Sequence, residues 1–446
     1  MIAIDGEWGI GMRINDGLSY PYQMTLGAIT NDALISEMGR QIAEQCVRIG
    51  INVNFAPDID VNNEPDNPVI GFRSFGEDPD NVARKGTAYA LALQENGVLP
   101  SLKHFPGHGN TKTDSHHALP VIKNSFEEIE KVELYPFQYS IDKGVKGAMV
   151  GHLYFPALEP DVNKSSSLSK NIVTDLLKNK MNYDGIIFTD GLEMKGAYNA
   201  THPDSVCLQA LMAGNDIMIL PINAEASMQI IIDAAKNDEE VRNRVEESCK
   251  KVLLYKYQIG LNDYKAQSVN RLQNDLNQNR YYVLKQRLYN EAVTMLENKK
   301  EILPLKKDSN KKIAVVTFGK DNSISAMLKE NGIANVPFLI NKDASDEEIR
   351  RTAKQFKSYD YVILNIRNTS SYPSKNYGIT PAMINFVKDL PNSTKLIFNL
   401  FGSPYALDKF SFSRNLSSLL VGYEDNDMVA NAIVDALLGK ISPKGK

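Results

Sequence analysis

Short apolar runs alternate with segments of helical periodicity through the first half of this 446-residue chain. The runs cover residues 1–5, 51–57, 98–105, 148–155, 185–190 and 216–221. The periodicity predicts helices over residues 31–49, 81–95, 125–143, 169–180 and 205–213. Because uninterrupted apolar strands followed by helices are typical of a parallel sheet with both faces covered, this alternation indicates the α/β class.

Polar residues gather at the carboxyl ends of the runs. They are Asp5, Glu7, Lys103, His104, His152 and Asp190. A (β/α)8 TIM barrel collects functional residues at the ends of several strands, whereas an open doubly wound sheet collects them near one switch point. We therefore predict a TIM barrel. Since such a barrel has eight strands and the sequence offers six runs, we expect its first two βα units to be lacking.

The second half of the chain resumes the alternation after a polar stretch at residues 262–279. Strands are predicted at residues 313–318, 359–365, 395–401 and 419–423. This pattern indicates a smaller α/β/α sandwich, and no glycine-rich fingerprint assigns it a nucleotide. The predicted domains are a catalytic barrel over 1–260, a helical linker over 261–303 and the sandwich over 304–446.

Composition excludes several classes of partner. A net charge of −4 offers no basic face to nucleic acid, and no apolar stretch approaches the roughly 18 residues that span a bilayer. Three widely spaced cysteines suggest neither a disulfide framework nor a zinc motif. The compartment stays open: a leader upstream would favour a bacterial periplasm or cell envelope, and otherwise we expect the cytoplasm. The oligomeric state is not predicted.

Four of the six histidines fall within KHFPGHGNTKTDSHHAL, residues 103–119. His104 and His108 have the i, i+4 spacing of helical zinc ligands, but the prolines and glycines between and beside them break a helix, so no metal site is predicted. Asp114 and His116 point the same way in an extended loop, where the carboxylate can orient the imidazole for acid/base work. His108 and His117 are interpreted as loop-packing or hydrogen-bonding groups.

Asp190 ends the apolar stretch of GIIFTDGLEM, residues 185–194. A carboxylate after a buried strand is costly unless it is paired or functional. The alternative is a helix N-cap for the segment from Leu192. His152 is interpreted either as a pocket residue or as a hydrogen-bonded core histidine, and His202 as a surface residue.

These motifs resemble those of the bacterial β-N-acetylhexosaminidases of glycoside hydrolase family 3. KHFPGHGNTKTDSH is similar to the family's K-H-F-P-G-H-G-D-T-x-x-D-S-H, and IDGEWGIGMR to its I-D-x-E-G-G-x-x-x-R. RSFGEDP at residues 73–79, FTDGLEM at 188–194 and AGNDIMI at 213–219 also resemble family segments. The resemblance covers about residues 1–260, and the later domain is similar to the second domain of many members.

The resemblance implies a retaining glycosidase without cofactor or metal. Asp190 would be the nucleophile that forms a glycosyl-enzyme, and His116, oriented by Asp114, the general acid and base. Residues implied to hold the sugar are Asp5, Arg13, Arg73, Lys103 and His104. The expected reaction releases terminal N-acetylglucosamine from carbohydrates such as peptidoglycan fragments or chitooligosaccharides.

Three positions depart from the family pattern, namely Trp8, Asn110 and Gly191. Trp8 stands in place of a glycine and is expected to reshape the entrance of the site. The open alternatives are a broad β-glucosidase, an N-acetylglucosaminide phosphorylase, a truncated and inactive sugar-binding remnant, and a metalloenzyme using the histidine cluster.

Overall fold

The computed structural model describes residues 1–115, 117–198, 203–307, 310–319 and 321–446. The chain divides into two compact units. The first comprises Met1–Gln23 and Asn31–Tyr281, and the second comprises Met24–Thr30 and Tyr282–Lys446. The bounds of the linker at 261–303 stay a prediction.

The strands of the first unit overlap the six apolar runs, with β5 beginning and β6 ending one residue outside its run. They are β1 (Ala3–Ile4), β2 (Val53–Asn54), β3 (Leu99–Pro100), β4 (Leu102–Phe105), β5 (Gly147–Val150), β6 (Ile186–Gly191) and β7 (Ile217–Ile219). All pair in parallel, in the orders β1-β2-β3 and β4-β5-β6-β7. An isolated parallel bridge between Asp58 and Lys103 connects the segments that follow β2 and form β4. This sequential parallel pairing is the predicted barrel-type architecture.

Helices separate these strands, as the periodicity predicts, except that only Ser101 separates β3 from β4. The helices that precede the sheet of the second unit are α1 (Gln23–Gly27), α2 (Ala33–Arg48), α3 (Pro79–Glu95), α4 (Phe126–Lys131), α5 (Tyr135–Asp142), a π-helix (Asn171–Lys180), α6 (Lys195–Tyr198), α7 (Val206–Ala213), α8 (Ala224–Asn237), α9 (Glu239–Gln258), α10 (Leu272–Leu276) and α11 (Asn279–Ala292). The single helix predicted over 125–143 was wrong. Pro136 lies in the first turn of α5, where its missing amide is harmless, and its ring could not continue α4.

The second unit is built on one six-stranded sheet. Its strands are β8 (Thr294–Asn298), β9 (Ile313–Phe318), β10 (Val336–Ile340), β11 (Tyr361–Ile366), β12 (Lys395–Leu400) and β13 (Leu416–Val421). The order is β10-β9-β11-β12-β13-β8, with only β8 antiparallel to its neighbour. Strands β8 and β10 were not predicted. Strand β8, with the sequence TMLEN, lacks a continuous apolar run, whereas β10, with the sequence VPFLI, is apolar but contains Pro337, which is tolerated because β10 lies at the edge of the sheet.

Helices cover both faces of this sheet. They are α12 (Ser323–Glu330), α13 (Asp346–Gln355), α14 (Pro381–Asp389) and α15 (Asp427–Leu437). Alternate residues of β9 enter two separate cores: Val316 packs in one, and Ile313 and Val315 pack in the other. Because a strand's side chains alternate between faces, two cores require two covered faces, and the unit is the predicted three-layer sandwich. Across the described residues, every helix is too short or too polar to cross a bilayer.

Candidate active site

The carboxyl ends of the parallel strands in the first unit carry a concentration of charged and polar side chains. They are Asp5 after β1, Asp58 and Asp60 after β2, Lys103 and His104 in β4, His152 after β5 and Asp190 in β6. Parallel strands paired in sequence bring these ends to one edge of the sheet. The ion pairs and hydrogen bonds among these residues define the candidate site.

A buried ion cluster centres on Glu7, which is 1% exposed. Arg73 makes a two-pronged contact with its carboxylate, with Nε 3.0 Å from Oε2 and Nη2 2.8 Å from Oε1. Lys103 Nζ lies 2.7 Å from Glu7 Oε1 and 3.2 Å from Asp5 Oδ1. Burial alone would raise the pKa of Glu7, but the charges of Arg73 and Lys103 hold it well below its usual range. Both cations are thereby held at fixed positions beside the more exposed Asp5.

Asp60 organises the turn that carries the two histidines of the KHFPGH segment. Its carboxylate accepts the backbone amides of His104, at 3.1 Å, and His108, at 2.7 Å. It also accepts the ring Nδ1–H of His104 over 2.7 Å. Burial would raise the pKa of Asp60, but its hydrogen bond and electrostatic interaction with the ring of His104 lower it. Because Arg73 Nη2 lies 3.4 Å from Nε2 of the same ring, the contacts indicate the Nδ1-protonated tautomer of His104.

Three buried groups, Asp58, Asp60 and His104, place possible metal-ligand atoms within 4.8 Å of one another. Burial, followed by the charge of Asp60, raises the pKa of Asp58 well above its usual range and favours its protonated form. Arg73 Nη2 already lies 3.5 Å from Asp58 Oδ2 and supplies positive charge there. A metal ion would have to displace the proton of Asp58 and compete with the guanidinium of Arg73. The chemistry of these three groups therefore fits a proton and an arginine side chain better than a metal ion.

Asp190 is half-buried within β6, and its Oδ1 accepts the backbone amide of Gly191 over 2.8 Å. Burial would raise its pKa, but electrostatic interactions with the rings of His104 and His152, this hydrogen bond and Lys103 lower it to about 2. Asp190 is therefore ionised at neutral pH. The N-cap alternative is wrong, because Asp190 belongs to the strand and the next described helix, α6, begins only at Lys195.

His152 is fully buried beside this carboxylate, which favours its interpretation as a hydrogen-bonded core histidine over that as a pocket residue. Its Nε2–H donates to the carbonyl of Gly191 over 3.0 Å, and Ser167 Oγ lies 2.8 Å from Nδ1. Burial lowers the pKa of His152. A neutral imidazole with both nitrogens engaged holds the backbone that follows Asp190.

The loop with the predicted acid/base pair is tied to the site through Ser115. His116 itself lies outside the described residues, as does His202. Ser115 Oγ lies 3.0 Å from His108 Nε2, and the Ser115 carbonyl accepts the amide of Gly196 over 3.3 Å. The Asp114 carbonyl accepts the amides of His117, at 3.0 Å, and Ala118, at 3.1 Å. The residues on either side of His116 are thus held in a turn that contacts the segment after β6.

Of the residues that the resemblance implies for sugar binding, four belong to this network. Asp5, Arg73, Lys103 and His104 contact one another directly or through Glu7. Arg13 lies at the rim, where its side chain is 53% exposed and Nη2 is 3.3 Å from Asp5 Oδ2.

Sequence reasoning missed Asp58 and Asp60 altogether and left Glu7 out of the site. The signal for the aspartates was present: D-I-D follows the apolar run 51–57 at the same end where the other polar residues gather. The hydrogen bonds of His108 and His152 could not be predicted from the spacing of residues in the sequence, because their partners are 7 to 39 residues away.

Comparisons with known proteins match both halves of the chain to the same family. Residues 1–254 match the glycosyl hydrolase family 3 N terminal domain, and residues 293–446 match the family 3 C-terminal domain. The chain is 38% identical over 236 residues to beta-hexosaminidase A of Pseudoalteromonas piscicida, a match covering 50% of this chain and 40% of that protein. It is 33% identical over 238 residues to a beta-hexosaminidase of Nitrosomonas eutropha, covering 52% and 67% of the two chains.

A solved structure supports the same relationship. The family 3 beta-N-acetylglucosaminidase from Paenibacillus sp. FPU-7 superposes with a TM-score of 0.80 at 28% identity, covering 100% of this chain and 85% of that one. The first domain model alone spans more than half of the sequence. The chain therefore belongs to glycosyl hydrolase family 3.

Proposed function

We propose that this protein is a retaining, exo-acting β-N-acetylhexosaminidase that releases terminal N-acetylglucosamine through a covalent glycosyl-enzyme. One observation carries the proposal: Asp190, near the end of β6, is half-buried with its pKa lowered to about 2, and the segment after β6 contacts the loop of Asp114 through the hydrogen bond from the Gly196 amide to the Ser115 carbonyl. The named beta-hexosaminidases and the Paenibacillus beta-N-acetylglucosaminidase support the choice of sugar.

In the first step, Asp190 attacks the anomeric carbon. Because Oδ1 is engaged by the Gly191 amide, we assign the attack to Oδ2. The ionised carboxylate also stabilises the positive charge that develops on the ring in the oxocarbenium-like transition state. The bond formed is an ester to C1, and the bond broken is the one between C1 and the glycosidic oxygen.

His116 supplies and recovers the proton. Its imidazolium protonates the departing glycosidic oxygen, and the resulting imidazole then takes a proton from the water that hydrolyses the ester. Asp114 orients the ring and favours its charged form. Two displacements at one carbon leave the product in the starting β configuration.

The ion cluster around Glu7 binds the sugar. Lys103 and Arg73 present donors at fixed positions, His104 is held by its hydrogen bonds with Asp60 and Arg73, and Asp5 and Arg13 present a charged pair at the rim. These groups suit the hydroxyls and the N-acetyl oxygen of a pyranose. The substrate class we propose is an N-acetylglucosamine-terminated carbohydrate, such as a peptidoglycan fragment or a chitooligosaccharide.

The test compares p-nitrophenyl β-N-acetylglucosaminide with p-nitrophenyl β-glucoside, each with and without EDTA and phosphate. We expect turnover of the first only, insensitive to EDTA, with β-N-acetylglucosamine as the first product seen by NMR. Preference for the glucoside would support the β-glucosidase. A sugar 1-phosphate as main product would support phosphorolysis, and loss of activity in EDTA would support a metalloenzyme. No turnover of either would support the sugar-binding remnant.

A further inference from the structure

Three aromatic side chains form a cluster beside the buried ion pair of Glu7 and Arg73. The ring centroids of Trp8 and Tyr22 are 4.9 Å apart, those of Tyr22 and Phe72 are 4.7 Å apart, and those of Trp8 and Phe72 are 6.1 Å apart. All three are only half-buried, although the neighbouring Glu7 is buried. Together they present an exposed aromatic surface.

The backbone ties this cluster to the sugar-binding groups. Trp8 directly follows Glu7, and Phe72 directly precedes Arg73, so the two rings extend from the two ends of one ion pair. Asp5, three residues before Trp8, contacts Lys103 and reaches the rim, where it is partly exposed. The aromatic cluster therefore adjoins residues of the polar part of the site along the chain, and its three side chains are partly exposed to solvent.

Trp8 is also the position at which this chain departs from the segment it resembles, which has glycine there. A glycine offers no surface, whereas an indole packed edge-on against a tyrosine is a rigid apolar face. The C–H face of a pyranose is apolar and suits such a surface, while the sugar hydroxyls stay at its edges.

We propose that Trp8, supported by Tyr22 and Phe72, is the stacking platform for the sugar unit on the leaving-group side of the scissile bond. This inference builds on the proposed function and names Trp8 as a specificity residue. The terminal N-acetylglucosamine lies among the polar groups near Asp190, and the next β-linked N-acetylglucosamine unit stacks on the indole. The protein then discriminates in favour of substrates with a second sugar over simple alkyl glycosides.

The kinetic test uses Trp8→Ala and Trp8→Phe with two substrates, chitobiose and methyl β-N-acetylglucosaminide, which lacks the second sugar. For Trp8→Ala we expect kcat/KM on chitobiose to fall roughly tenfold and kcat/KM on the methyl glycoside to change less than twofold. Trp8→Phe retains a ring and should recover most of the loss. Tyr257→Ala, which removes an exposed aromatic from α9, is the matched control and should change neither substrate.

Because Trp8 is the only tryptophan, its fluorescence reports binding at this position alone. In the Asp190→Asn background, chitobiose should shift the emission to shorter wavelength more than N-acetylglucosamine does at equal saturation. An equal loss on both substrates, or no loss on chitobiose, overturns the platform while the hydrolase assignment stands. If the wild-type protein hydrolyses no N-acetylglucosaminide, the proposed function fails, and the fluorescence titration still decides whether chitobiose contacts Trp8.

Discussion

The backbone amide of Gly196 donates a hydrogen bond to the carbonyl oxygen of Ser115 over 3.3 Å. Gly196 follows the β6 strand that carries the candidate nucleophile, and Ser115 lies between the two members of the candidate acid/base pair in the sequence. A side chain on Gly196 would place its Cβ 3.0 Å from that carbonyl and 3.1 Å from His152 Cβ. The close approach thus brings together two chain segments that are far apart in sequence.

Replacing Asp190 with alanine should reduce kcat for N-acetylglucosaminide hydrolysis by at least ~10³-fold, because no other group can form the ester. Added azide should restore turnover and yield the α-glycosyl azide, since the small anion occupies the space of the missing carboxylate. Glu193→Gln, an exposed carboxylate on the same segment, is the control and should keep wild-type rates. Normal hydrolysis by Asp190→Ala would exclude the nucleophile assignment.

Replacing His116 with alanine should slow the hydrolysis of substrates, and the loss of rate should increase with the basicity of the leaving group. We expect a loss of about 10²–10⁴-fold on chitobiose and a much smaller loss on a dinitrophenyl glycoside, whose leaving group needs no proton. The neighbouring exposed His117→Ala should behave as wild type. A loss of the same size on both substrates would contradict a role in proton transfer.

Asp60→Ala should lower the free energy of unfolding by about 3–5 kcal/mol, because it leaves the buried His104 ring and two backbone amides without their acceptor. Asp66→Asn, at an exposed carboxylate that pairs with Lys112, should cost less than about 1 kcal/mol. Urea unfolding followed by circular dichroism measures both. Equal small losses would show that Asp60 does not organise the turn.

Asp60 also predicts a dependence of stability on pH. Its pKa is lowered in the folded state, so its contribution is present above the unfolded value near ~3.9 and is lost as the pH falls through the folded value. The wild-type protein should therefore lose stability below about pH 4 more steeply than Asp60→Asn does. If the free energy of unfolding fell equally steeply with decreasing pH in the two proteins, this assignment would be wrong.

Glu133 predicts the opposite dependence. Burial raises its pKa to about 7, and its side chain is 2% exposed. Its contribution is fully present below the unfolded value near ~4.3 and is lost as the pH rises through about 7. Glu133→Gln should therefore be more stable than wild type at pH 8, by on the order of 1–3 kcal/mol, but not at pH 4. Glu127→Gln, at an exposed position of α4, should show no such difference, and urea midpoints at both pH values measure the effect.

Much of the fold could be predicted from periodicity because apolar runs and helical segments are local patterns. The six runs located the strands of the first unit, and Asp190 and Lys103 were found because polar residues at strand ends interrupt those patterns. Strand β8 escaped prediction since it carries little apolar signal, and β10 escaped it although it is apolar, because Pro337 is unusual within a strand. The break between α4 and α5 depended on one proline that periodicity alone ignores.

By itself, the sequence determined the alternation of strands and helices in the first unit, the family resemblance and the residue types available for chemistry, because each of these depends on local composition. Only the tertiary structure decided which charges meet. Glu7 pairs with Arg73, 66 residues away, and Asp60 accepts from His104, 44 residues away. Such pairings depend on how parallel strands are placed side by side, which sets the local electrostatic field and hence whether each carboxyl keeps or loses its proton.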